Sequence, residues 1–399
     1  MLLNLAIILT VLITALLLWS PKIQRSVTWR AMTTPLASII GSGFLVLGPI
    51  LDAAYGKYAP LVMALLCVGA YLYGAAIRYN MAVIGTTAAS ANVLSETLET
   101  AASWSLGFAY FISVAYYLNL FGAFGVSLTS VSDPLHAKLL TSAVFIVILF
   151  VGWTRGFKSL EDMEYVSVTA KLAIIAGLLI GLTVYFLDKA AGRELIFNPP
   201  VQTGLSAVTL AFGLIVTVQG FETSRYLGAD YDSKTRIRSM QWSQWVSAAI
   251  YMTYILLLAY VFERGELKLT ETAIVDMMAV VAPILPVLLV AAALAAQFSA
   301  AVADTSGSGG LIAELTGNRL SPRMAYALLT CVGLFLTWSA DVFEIISYAS
   351  RAFALYYTLQ ALIAARTSWT QQDRYRSVGF IVLAGLGVLI VAFGQSVEG

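Results

Sequence analysis

Apolar residues come in long runs along this chain, and polar residues gather in the short gaps between them. A window of about 19 residues places apolar segments near residues 2–19, 31–52, 59–84, 105–131, 138–154, 165–187, 203–228, 243–262, 280–303, 324–339, 342–365 and 378–394. Most are long enough, at about 1.5 Å per residue, to cross roughly 30 Å of hydrocarbon as a helix. The pattern predicts an all-α membrane bundle of about twelve transmembrane helices, with short connections and no soluble domain. The first run lacks the basic leader and small-residue cleavage site of a signal peptide, so it is read as a retained helix over residues 1–20.

Two runs are interrupted. Residues 34–51, TPLASIIGSGFLVLGPIL, carry Gly41-Ser42-Gly43 near their middle, flanked by Pro35 and Pro49. Glycine costs a helix about 1 kcal/mol relative to alanine, and in lipid each freed backbone group costs several more. A break there is expected to line a cavity, where unpaired amides and carbonyls bind a substrate or ion. Close packing of small residues is the competing explanation. Residues 203–228 are interrupted in turn by Gln219-Gly220 and the acidic Glu222.

Breaks five spans apart suggest an inverted repeat with a site between them. Residues 29–190 would form the first five-helix half and residues 200–366 the second. Helices over 1–20 and 377–396 would lie outside this core.

Composition narrows the function. With 59% hydrophobic and 11% charged residues and a mean hydropathy of +0.84, the chain departs from the roughly 25% charged residues of soluble proteins. A net charge of +1 argues against nucleic acid as a partner. The sole histidine, His136, excludes most histidine-based metal sites and triads, and Cys67 and Cys331 lie in apolar runs and imply no disulfide framework. No P-loop is present, so neither a cofactor nor ATP drive is expected, and the titratable groups lack the spacing of an enzyme's nucleophile and base. If Lys22, Arg25 and Arg30 are cytoplasmic, alternate loops put most other basic residues on that side. Both termini of a multi-pass cell (inner) membrane protein would then face outward.

Several residues are candidates for chemistry. Backbone N–H groups of Gly41, Ser42 and Gly43, at a half-helix end, suit an anionic group such as a carboxylate. Glu222 follows the second break, where a carboxylate must be protonated, paired or wet; gating beside the substrate and capping of the half-helix both fit it. Gln219 and Gly220 form that break, Phe221 is a candidate lid, and Tyr117 a candidate lining residue. Lys171 lies inside an apolar run, where snorkelling competes with a buried role. Ser299 and Asp304 offer oxygen ligands for sodium, although such serines commonly bond their own preceding turn. Arg351 is a second basic residue within a run, with Glu222 or Asp304 as partners by charge, or a place near the helix end as the bland reading.

The same segments resemble a known family. IIGSGFLVLGPIL is similar to the first-helix pattern of the amino acid-polyamine-organocation (APC) transporters, VQGFETSRYLGADYDSKTRIRSM to their sixth helix, and SVTAKLAIIAGLLIGL to their fifth. The resemblance implies a five-plus-five LeuT-type core and transport of an amino acid, or related small amine or organic acid, across the lipid bilayer. It implies for Lys171 the place where sodium-coupled relatives bind their ion, and hence proton coupling, with Glu222 beside the substrate. Sodium coupling through Ser299 and Asp304, or a membrane sensor that binds without translocating, are the alternatives. The chain departs from the family in its extra leading helix, in the eighth core helix, which lacks the usual serine-arginine pair, and in Arg351.

Overall fold

The computed structural model describes residues 2–41, 43–84, 93–154, 164–228, 231–264 and 269–397, and among these every regular element is helical. In chain order they are α1 (Leu2–Leu18), α2 (Pro21–Gln24), α3 (Val27–Ile39), α4 (Gly43–Tyr55), α5 (Ala59–Ile84), α6 (Val93–Ser127), α7 (Pro134–Thr154) and α8 (Glu164–Ala191). Then follow α9 (Gly204–Gly213), α10 (Ser233–Leu258), α11 (Ala273–Val281), α12 (Leu285–Leu315), α13 (Pro322–Ser339), α14 (Val342–Thr370) and α15 (Arg374–Phe393). Six stretches among the described residues are long and apolar enough to cross a membrane: Gly43–Val83, which joins α4 and α5, Glu96–Ser127, Pro134–Thr154, Tyr165–Ala191, Leu285–Leu315 and Arg374–Phe393.

Local chemistry sets several starts. Ser26 caps α3 by accepting from the Trp29 N–H, and Ser321 with Pro322 behind it opens α13. Asp341 and Glu344 form a reciprocal capping box at the head of α14. Asp232 caps α10, and the Thr235 hydroxyl and N–H hold its carboxyl below the ordinary carboxylate range.

The most buried of the long apolar helices is α6, packed against α12 and α14. Helix α10 packs on α3 and α5, and α15 covers α14. Helix α1 lies along α8, where Gly177 and Gly181 meet Val11 and Ile7 and the Tyr165 hydroxyl donates to Leu18 O at 2.7 Å. Small residues let the two backbones approach.

Both interrupted runs are discontinuous. At the end of α3 the Gly41 N–H turns back to Ser38 O at 3.1 Å, so the Ala37 carbonyl loses its helical donor. The chain resumes as α4 at Gly43, with Ser42 outside the described residues. After α9, two short 3-10 turns, Ile215–Val218 and Phe221–Tyr226, flank an extended Gln219 and a Gly220 with φ +116°. That φ is one glycine adopts without a steric penalty.

Two elements differ from the sequence expectation. The nine residues of α11 are too few to register as a unit in a 19-residue average, and most of them fall before the run read at 280–303. Helix α6 begins at Val93, well before residue 105, because Glu96, Thr97, Glu99 and Thr100 depress the local hydropathy.

Candidate substrate and coupling site

The two breaks press against each other. A Cβ added at Gly43 would lie 2.5 Å from Thr217 Cα, and one at Gly220 would lie 2.7 Å from the Ile39 nitrogen. Both distances are too short for any side chain, so glycine at each break lets the other backbone in. Between them stands Tyr251 of α10, fully buried, its hydroxyl 2.7 Å from Thr217 O and 2.9 Å from Ile39 O. A phenol has one proton to donate, and this one is shared by carbonyls from both breaks.

Lys171 of α8 is 1% exposed and does not reach solvent. Its Nζ donates to Ala37 O at 2.6 Å, the carbonyl that the first break deprives of its N–H. The lysine therefore completes the end of α3 and ties it to α8.

At the second break, Glu222 is buried and its Oε2 accepts from the Gly220 N–H and the Tyr357 hydroxyl, both at 3.0 Å. Its Oε1 is buried and has no hydrogen-bond partner among the described residues. The same holds for Gln219 Oε1, while Gln219 Nε2 donates to the Tyr117 hydroxyl at 3.3 Å. Capping by Glu222 is thus real, and it uses only one of the two carboxylate oxygens. Phe221 is buried and stacked on Tyr357 at 5.2 Å, with Tyr73 stacked on the same tyrosine.

Ser299 and Asp304 each have a partner of their own. The Ser299 hydroxyl donates to Ala296 O on its own preceding turn. Asp304 is buried and in contact with Ser113 of α6.

Residues 21–394 match a family model described as APC superfamily transporter. The chain belongs to the APC superfamily of transporters. It is also similar to a protein of Aquifex aeolicus (strain VF5) described as "Uncharacterized protein", 42% identical over 387 residues that cover 95% of this chain and 94% of that one. Membership makes it a multi-pass membrane transporter for a small molecule. Helix α1 precedes the matched region.

In this APC transporter Arg351 is no buried counter-charge. It is exposed, its Nε donates to Val391 O of α15 at 2.7 Å, and among the described residues it pairs with neither Glu222 nor Asp304. The expectation of a charge partner fails because α15 offers the guanidinium a carbonyl at the protein's edge.

The sequence also left functional candidates unnoticed. Tyr251, Tyr357 and Ser113 carry no local signal in a chain with 20 tyrosines. Another is the cluster beyond the second break, where Arg225 pairs with Glu99 of α6 at 2.6 Å and donates to the Gln360 side chain of α14. Asn80 of α5 donates to the same Gln360 at 2.9 Å, and Arg236 of α10 donates to Arg225 O. A charged residue within three positions of Glu222 was the available hint.

Proposed function

We propose that this APC transporter moves an amino acid, or a related small amine or organic acid, by alternating access between two five-helix inverted repeats, coupled to protons through Lys171. The halves are residues 29–190 and 200–366, with α1 and α15 outside them, in a cell membrane with both termini extracytoplasmic. The observation that carries the reading is the Lys171 ammonium on the Ala37 carbonyl. An ammonium there supplies the positive charge that an ion supplies in sodium-coupled relatives. Losing its proton removes the charge that strengthens the bond to Ala37, and that loosens α3 from α8.

The cargo's recognition follows from the two breaks. The first turn of α4 presents N–H groups with no helical acceptor, suited to a carboxylate at a helix start. Gln219 Oε1 and Glu222 Oε1 are acceptors on the opposite break, suited to an ammonium. Gly41, Ser42, Gly43, Gly220, Tyr117 and Phe221 complete this reading of the site.

A thermal-shift screen of amino acids, amines and small organic acids on the purified protein finds the ligand, since a bound ligand raises apparent stability by mass action. Uptake of that ligand into reconstituted vesicles then tests transport. Accumulation against its gradient is expected; binding without accumulation under any ion gradient would make the protein a sensor.

A further inference from the structure

Asp304 of α12 is buried, and so is the Ser113 of α6 that it touches: Asp304 Oδ2 lies 2.5 Å from Ser113 Oγ. The serine has one proton and a second partner, since its Oγ also lies 3.1 Å from Tyr110 O. A carbonyl only accepts. Both contacts are hydrogen bonds together when the serine proton goes to Tyr110 O and the carboxyl itself donates to Oγ.

The surroundings point the same way. Asp304 forms no ion pair among the described residues. Among the described residues, the titratable groups that reach it are Tyr110 and Tyr117 from α6 and Glu222 from the second break, and none of these is a cation. Helix α8 packs on α12 and carries a buried cation, Lys171, whose ammonium donates to Ala37 O. Glu222 has two donors on its Oε2, whereas Asp304 meets a single hydroxyl. An ionised Asp304 would have that one hydroxyl to offset its lost hydration, which is far too little.

We infer that Asp304 is a proton-binding group of this transporter, carrying its proton in the arrangement seen here and donating it to Ser113 across the α6–α12 contact. The proton site is separate from Lys171 and does not depend on the coupling role proposed for that lysine. Release of the proton leaves a carboxylate with one hydroxyl partner in the interior, and the contact between α6 and α12 must then open to water.

Infrared difference spectroscopy on the full-length purified protein at neutral pH reads this directly. The wild type is expected to show a protonated-carboxyl C=O band that is absent in Asp304→Asn, shifts in heavy water, and persists in Glu222→Gln and Lys171→Gln. Should Asp304→Asn fold poorly, Ser113→Ala serves: loss of the acceptor moves the same band to higher frequency. The inference is overturned if Asp304→Asn removes intensity from the ionised-carboxylate region instead, or if Ser113→Ala leaves every protonated-carboxyl band in place. Loss of proton-driven uptake in Lys171→Gln with the Asp304 band intact would separate the two roles.

Discussion

Lys171 Nζ and Ala37 O lie 2.6 Å apart, on helices that are far separated in sequence, and that one bond joins the broken end of α3 to α8. It accounts for both a buried cation and a carbonyl that the Gly41 N–H leaves for Ser38 O.

Lys171→Met removes the donor and leaves the Ala37 carbonyl without it. A buried acceptor stripped of its partner costs about 1–3 kcal/mol, so the apparent melting temperature of the purified variant should fall. Ligand-induced stabilisation should remain, because the proposed substrate contacts lie elsewhere. A variant as stable as the wild type would show that the bond contributes nothing.

Tyr251→Phe keeps the ring against Phe44, 5.5 Å away edge-on, and deletes only the hydroxyl between Thr217 O and Ile39 O. We expect a loss of about 1–3 kcal/mol together with weaker ligand binding, since the relative placement of the two breaks is what the hydroxyl fixes. Thermal-shift titration measures both.

Gly220→Ala should be among the most disruptive single substitutions in the chain. Its φ of +116° disfavours any Cβ and the space is filled by backbone of the first break, so a cost well above about 1 kcal/mol is expected. Gly379→Ala on α15 is the control, with nothing within 4 Å of the added carbon; helix propensity makes it neutral or stabilising by up to about 1 kcal/mol. Equal stability of the two variants would contradict the packing of the breaks.

Arg225 and Glu99 are largely buried, at 15% and 28% side-chain exposure. Arg225→Gln and Glu99→Gln should each destabilise, and the double variant should cost less than their sum. A coupling energy of about 0.5–3 kcal/mol is expected from a double-mutant cycle. Additive effects would show that the pair does not act as a unit.

The sequence made legible what depends on local cost. Gly41-Ser42-Gly43 and Gln219-Gly220 stand out because a helix in lipid tolerates such residues only where the backbone is satisfied another way. Lys171 and Glu222 stand out because charges are rare in apolar runs. Tyr251 and Ser113 were invisible for the opposite reason: each is ordinary in its own helix and acquires a role only when folding brings another segment's carbonyl or carboxyl beside it. Arg351 shows the converse error, since depth inferred along one helix ignores the neighbour, here α15, that decides whether the side chain faces the interior.

The central claim is proton coupling at Lys171, and one experiment bears on it most directly. Uptake of the ligand found by thermal shift is followed in sodium-free proteoliposomes carrying an imposed inward proton gradient, for the wild type and for Lys171→Gln. The account predicts accumulation in the wild type that collapses with a protonophore, and none above equilibration in Lys171→Gln. Accumulation that requires sodium and ignores the pH gradient, or that survives undiminished in Lys171→Gln, would contradict it.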